Sequence, residues 1–197
     1  LLVFASHHHE DHFRPAIFQL GAAAFLLGKD VRMSARNRER WGVSPEAAAR
    51  CVTLGGGRRL EPLPGVRVET LTSTDEGVAF LVTADGQTVF HAGDLNWWHW
   101  AEEDLAWNRN MEANFKRYAE PLRGRRVDLA MLPLDSRLKT GGYLGPNYFL
   151  NLMEVRRFLP MHQWEDFAFT DEFLSAYLQF APITVKIHRD GEFLGEL

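Results

Sequence analysis

Cysteine is almost absent from this 197-residue chain: Cys51 stands alone, so no internal disulfide can form. That suits a reducing compartment, and a cytoplasmic location is the expectation. Long apolar runs are absent too. The longest candidate, residues 22–27, falls far short of the ~18–20 residues that span a bilayer, so no membrane partner is expected. An excess of positive charge is also missing. The 22 Lys and Arg face 26 Asp and Glu, a net charge of −4 with His neutral, which argues against a nucleic-acid partner held by bulk charge. The one basic run, Arg123-Gly124-Arg125-Arg126, reads as a solvated loop without aromatic interleaving. Gly55-Gly56-Gly57 lacks the context and the Lys-Ser/Thr of a phosphate loop, and no Ser nucleophile elbow occurs. There is no initiator Met and no basic leader with a small-residue cleavage site. The chain opens inside an apolar run, residues 1–5, which reads as a buried strand whose upstream neighbours are missing. The expectation is an N-terminally truncated domain.

What remains is ordinary globular material, 46% hydrophobic and 24% charged, long enough for a sizeable core. Strand patterns are expected at 1–5, 31–34, 66–71, 77–83, 88–92 and 127–132. Helical patterns are expected at 15–27, 44–50, 101–122, 148–158 and 170–180. Asp85-Gly86 marks a hairpin turn, Ser44-Pro45 a capped helix start, and residues 183–188 with 192–197 a terminal hairpin. Strands and helices intermix with no linker, repeat or second composition regime. One α/β domain over 1–197 follows.

The densest chemistry lies in Ser6-His7-His8-His9-Glu10-Asp11-His12, at the end of the first expected strand. Here four histidines and two carboxylates fill six consecutive positions, 7–12. Neutral imidazole and carboxylate are the usual ligands of zinc and similar divalent ions. Residues two apart on extended backbone point the same way, so His7 and His9 can converge on one ion while His8 points away. Asp11 and His12 lie where the chain turns and could face a second ion. The alternative is a solvated loop or a tag remnant, but a tag neither interleaves Asp and Glu nor follows a strand.

Position for position at His7, His9, Asp11 and His12, this stretch resembles the His-x-His-x-Asp-His signature of the metallo-β-lactamase superfamily. Two later pieces fall in that family's order. Phe90-His91-Ala92-Gly93-Asp94 is similar to its strand-end Gly-Asp, and Leu159-Pro160-Met161-His162 to its late strand-end His. The hairpin around Gly191-Glu192 resembles its closing strands. The likeness runs over almost the whole chain and is nearest to the branch containing ascorbate-6-phosphate lactonase.

The resemblance implies a four-layer αββα sandwich and one or two metal ions, zinc first with manganese as the other candidate. His7 and His9 would hold the first ion, and Asp11, His12 and His162 the second, with Asp94 bridging. It further implies a small-molecule ester, lactone or phosphoester substrate attacked by a metal-activated water that Asp11 also orients. There is one departure within the chain. A metal-binding His is usual between the first motif and the Gly-Asp, whereas here the loop reads Leu71-Thr72-Ser73-Thr74-Asp75-Glu76-Gly77. Two readings stand for Asp75: it replaces that ligand, or it only caps a turn. Flavodiiron relatives carry Glu where this chain has His9, which weakens iron-based oxygen chemistry. A metal-binding domain without turnover, and an RNA-processing nuclease, are the other functions the resemblance leaves open.

Leu95-Asn96-Trp97-Trp98-His99-Trp100 follows the Gly-Asp directly. Trp97, Trp98 and His99 are the candidate substrate-binding residues, and packing of the next helix is the alternative. Tyr143, Tyr148 and Trp164, near the late His, are open to the same two readings.

Overall fold

Period-two alternation of apolar side chains sets the architecture. In β1 (Leu2–Ala5), Val3 and Ala5 join one core and Phe4 another; in β2 (Ala24–Gly28), Phe25 and Leu27 part from Leu26 in the same way. The computed structural model describes residues 1–189 and 191–195. In it β1, β2 and β3 (Cys51–Leu54) form a parallel three-stranded sheet in sequence order.

A six-stranded sheet follows, also in sequence order. It comprises β4 (Arg59–Leu63), β5 (Val66–Thr72), β6 (Val78–Ala84), β7 (Gln87–His91), β8 (Arg126–Pro133) and β9 (Glu154–Met161). The strands are antiparallel through β7 and parallel from β7 to β9. The helices are α1 (Ala35–Arg40), α2 (Pro45–Ala49), α3 (Leu105–Ala119), α4 (Leu144–Leu152) and α5 (Phe169–Ala176).

Three separate cores define the layers. Phe13, Phe18, Phe25 and Ala47 pack the α1–α2 region onto the first sheet. Leu26, Leu54, Val68, Val78 and Phe80 fill the space between the sheets. Phe90, Phe115, Phe149, Phe158 and Phe173 pack α3, α4 and α5 onto the second sheet. Helix, sheet, sheet, helix is the four-layer αββα sandwich that the resemblance implied. No helix among the described residues is long and apolar enough to cross a membrane.

Several expected elements differ. Residues 15–27 are not one helix: a 3-10 turn, Pro15–Gln19, is followed by β2. The run is apolar because both faces of β2 are covered, Phe25 and Leu27 in one core and Leu26 in another, so the strand needs no polar face. No strand forms at 31–34, and α1, which was not expected, begins immediately after, capped by Ser34. The expected helix at 148–158 is α4 and β9 end to end, because backbone pairing with β8 captures residues from Glu154 onward. The helix expected at 170–180 ends at Ala176, before a 3-10 turn containing Pro182. Residues 185–188 make no strand, and Thr184 contributes only a single bridge to Phe158. The other arm of that expected hairpin includes residues 196 and 197, which lie outside the described ones.

One edge of the sandwich gathers the C-terminal ends of β1, β7, β8 and β9, together with the β5–β6 loop. Parallel strands deliver their following loops to the same end. Ser6–His12 follow β1 directly, Asp94 lies three residues beyond β7, Asp135 two beyond β8, and His162 one beyond β9.

Candidate metal centre

The floor of this edge is Ser6, directly after β1. Its backbone is wedged so closely between neighbours that only glycine fits beside it. A Cβ on Gly28 would lie 1.8 Å from the Ser6 carbonyl oxygen, and one on Gly77 1.9 Å from it, where Gly77 also adopts φ +71°. The Ser6 hydroxyl lies 3.0 Å from His7 Nδ1 and 3.3 Å from His12 Nδ1. With Nδ1 of each ring held at this hydroxyl, both Nε2 atoms face the site.

Both Nε2 atoms meet Asp94. His7 Nε2 stands 3.3 Å from Asp94 Oδ2 and 3.0 Å from His9 Nδ1. On the other side, His12 Nε2 lies 3.1 Å from Asp94 Oδ1, 3.1 Å from His162 Nε2 and 3.4 Å from Asp11 Oδ2. His162 Nε2 lies 3.2 Å from Asp94 Oδ1 and 3.3 Å from Asp11 Oδ2. One carboxylate thus gives an oxygen to each of two donor clusters: His7, His9 and Asp94, and Asp11, His12, His162 and Asp94.

The donor set fits a cation. A tetrahedral ion with bonds of about 2.0–2.1 Å holds its ligand atoms about 3.3 Å apart, close to the spacings seen. Asp94 Oδ1 is buried and has no partner with hydrogen-bond geometry, although two imidazole nitrogens lie within 3.2 Å. Burial alone would raise the Asp94 carboxyl, but His12, His162 and His7 outweigh it and hold the group far below the usual carboxylate range. Burial likewise opposes protonation of His162. The Asp135 and Asp94 carboxylates overcome it and raise its pKa to about 9. The backbone at His162 is in the left-handed region, φ +63°, as are Trp164 and Glu165, a cluster of non-glycine outliers of the kind that gathers at functional sites.

Asp135, one residue beyond Leu134 at the end of β8, was not singled out from the sequence. It is fully buried and lies 3.1 Å from His162 Nδ1. It also accepts from Arg137 Nε and Nη2 and from Trp164 Nε1. Burial opposes its ionisation, yet His162 and Arg137 hold its pKa at about 2. A carboxylate behind an imidazole fixes ring orientation and tautomer, leaving Nε2 to face the cluster.

The remaining expected residues fall into place unevenly. Asp75 borders the cleft but belongs to neither donor cluster. The residue is exposed overall, while its carboxyl is raised first by lost hydration and then by the Asp94 charge. Its neighbour Glu76 instead sits 2.7 Å from His8 Nδ1 and 3.8 Å from His9 Nε2, a contact the sequence reading missed. His91 accepts the Gly93 N–H on Nδ1, and burial chiefly depresses its pKa to about 4.

Trp98 lines the cleft, donates to the Asp94 carbonyl at 3.0 Å and meets the His162 ring edge-on. Trp97 does not reach the cleft. It packs against Phe115 and Tyr148 in the helix-side core because consecutive residues here face opposite ways. His99 does not line the cleft either, and its carbonyl instead backs onto Gly141. Tyr143 and Tyr148 pack with the core, whereas Trp164 borders the cleft. The cleft itself holds about 550 Å3, and Trp100, Trp107, Met111 and Arg137 also line it.

No protein-family model matches this chain, and no curated protein matches it. Solved structures do. A Parabacteroides distasonis protein named for metal-dependent hydrolase activity superposes with a TM-score of 0.56 at 16% identity, over 94% of this chain and 74% of that one. CmlA, a diiron β-hydroxylase from Streptomyces venezuelae, gives 0.62 at 10% identity, over 95% of this chain and 43% of that one. The metallo-β-lactamase fold protein YhfI from Bacillus subtilis gives 0.53 at 13% identity, over 88% and 70%. The chain has the metallo-β-lactamase fold, which hydrolases and a hydroxylase share.

Proposed function

We propose that the chain is a metal-dependent hydrolase acting on a small ester, lactone or phosphoester, of the kind found in the ascorbate-6-phosphate lactonase-like branch. The observation carrying this reading is the Asp94 carboxylate, shared between two His/Asp clusters at the base of an open cleft. His7, His9 and Asp94 would hold one ion, and Asp11, His12, Asp94 and His162 the other. Mixed imidazole and carboxylate donors suit zinc, with manganese as the alternative. Such ions, when bound, lower the pKa of a water to about 7 and polarise the scissile carbonyl or phosphoryl group.

The chain's own side chains do the rest. Ser6 holds Nδ1 of His7 and His12, and Asp135 holds Nδ1 of His162, which orients the three rings. Asp11, whose carboxylate borders the cleft, orients the attacking water and takes its proton. Trp98 and Trp164 flank His162 on the cleft wall and meet its ring edge-on. The small, tryptophan-walled cleft supports a small molecule rather than a nucleic acid as substrate. The lone Cys51 accords with a cytoplasmic setting.

Metal stoichiometry by inductively coupled plasma mass spectrometry, paired with a screen of generic esters, lactones and phosphoesters, tests the reading. Bound metal with turnover that Asp11→Ala and His12→Ala abolish is the expected result. Retained turnover in either variant, or no metal after reconstitution, would sink it. The missing mid-chain His favours a second reading, a metal-binding domain without turnover. One ion per chain and no activity on any substrate would point there.

A further inference from the structure

Among the described residues, Arg137 is the one Lys or Arg side chain that borders the cleft. One edge of its guanidinium is occupied: Nε and Nη2 donate to Asp135 at 2.9 and 2.6 Å. Its plane is held by aromatic faces, 4.3 Å from the Trp164 ring and 5.9 Å from that of Trp100. The other edge is free. Nη1 has no hydrogen-bond partner among the described residues, and the side chain remains 46% exposed. A guanidinium already fixed on one edge loses little freedom when an anion meets the other, and its fork matches carboxylate and phosphate oxygens.

We infer that Arg137 anchors an anionic group, carboxylate or phosphate, carried by the substrate. Trp100 and Trp107, which line the same cleft, suit an apolar body attached to that anion. This rests on the hydrolase reading and narrows its substrates to anionic esters, lactones and phosphoesters. Arg137 is then a substrate-binding residue that selects by charge.

Phenylacetate and phenylacetamide, matched in shape and unlike in charge, make the test. Their affinities for the zinc-loaded protein are read from quenching of the cleft tryptophans. Phenylacetate should bind at least about tenfold more tightly than phenylacetamide. Arg137→Gln should remove most of that preference while leaving phenylacetamide affinity and zinc content unchanged. Arg137→Lys, which keeps the charge beside Asp135 but not the free arm, should lose it in large part too. A preference that survives both substitutions would put the anion on the metal ions alone and overturn the inference. So would a zinc content that falls with the affinity in both variants, since Arg137 would then serve only to support Asp135. Because affinity is the readout, an anion preference with no turnover on any substrate would support the anchor and count against the hydrolase reading alone.

Discussion

Asp94 and Asp135 are both buried carboxylates that imidazoles keep ionised, but they do different things. Asp94 places its two oxygens in two donor clusters, whereas Asp135 sits behind one imidazole and supports it. Removing the second kind of group weakens a metal site without dismantling it. Asp135→Asn should therefore lower metal affinity about 10–100-fold while the far-ultraviolet circular dichroism is unchanged. Competition with a chromogenic chelator measures this, and an unchanged affinity would remove Asp135 from the site. Ser6 belongs to the same class of residue: it stands in neither donor cluster, yet its hydroxyl holds Nδ1 of both His7 and His12.

Among elements, the decisive one is the crossing of the β1 end beneath the β5–β6 loop. Val78 N–H donates to the Ser6 carbonyl at 3.1 Å, and Gly77 lies flat against that carbonyl. The ligand stretch that follows Ser6 takes its direction from this contact. Gly77→Ala combines a clash at the Ser6 carbonyl with a φ of +71° that alanine resists, so it should cost more than about 1 kcal/mol. A thermal midpoint lowered by more than about 2 °C, accompanied by reduced metal content, is the expected measurement. A variant as stable and as metal-rich as the parent would show that the loop can give way.

For the whole molecule, the site is a clamp between layers. His7, His9, Asp11 and His12 follow a strand of the first sheet, and Asp94 and His162 follow strands of the second. A cation bound by both groups ties the two sheets together, and any ligand specific to the folded state adds to its stability. At a free metal concentration about 1,000 times Kd the gain is about 4 kcal/mol, a rise in thermal midpoint on the order of 10 °C for a domain this size. Stripping with a chelator should lower the midpoint by that order, and adding zinc back should restore it. A midpoint indifferent to metal would mean that the clusters hold none.

His7, His9, Asp11 and His12 could be named from the sequence alone because their chemistry is local: six consecutive positions crowded with imidazole and carboxylate have few other uses. Asp94 could be named because it ends a recognisable apolar strand, and both it and His162 because they fall in an order that a known family shares. Short-range signals also placed the Ser44-Pro45 helix start and the Asp85-Gly86 turn. Ser6, Glu76, Asp135 and Arg137 carried no such mark. Their roles depend on partners such as His162, 27 positions from Asp135, that only the packed sheets bring near. The same holds for β2 and β9, where pairing with neighbouring strands overrode a local pattern that reads as helix. Trp97 and Trp98 show the limit most simply. They are adjacent and chemically identical, and the direction each side chain takes in the fold sends one into the core and the other to the cleft.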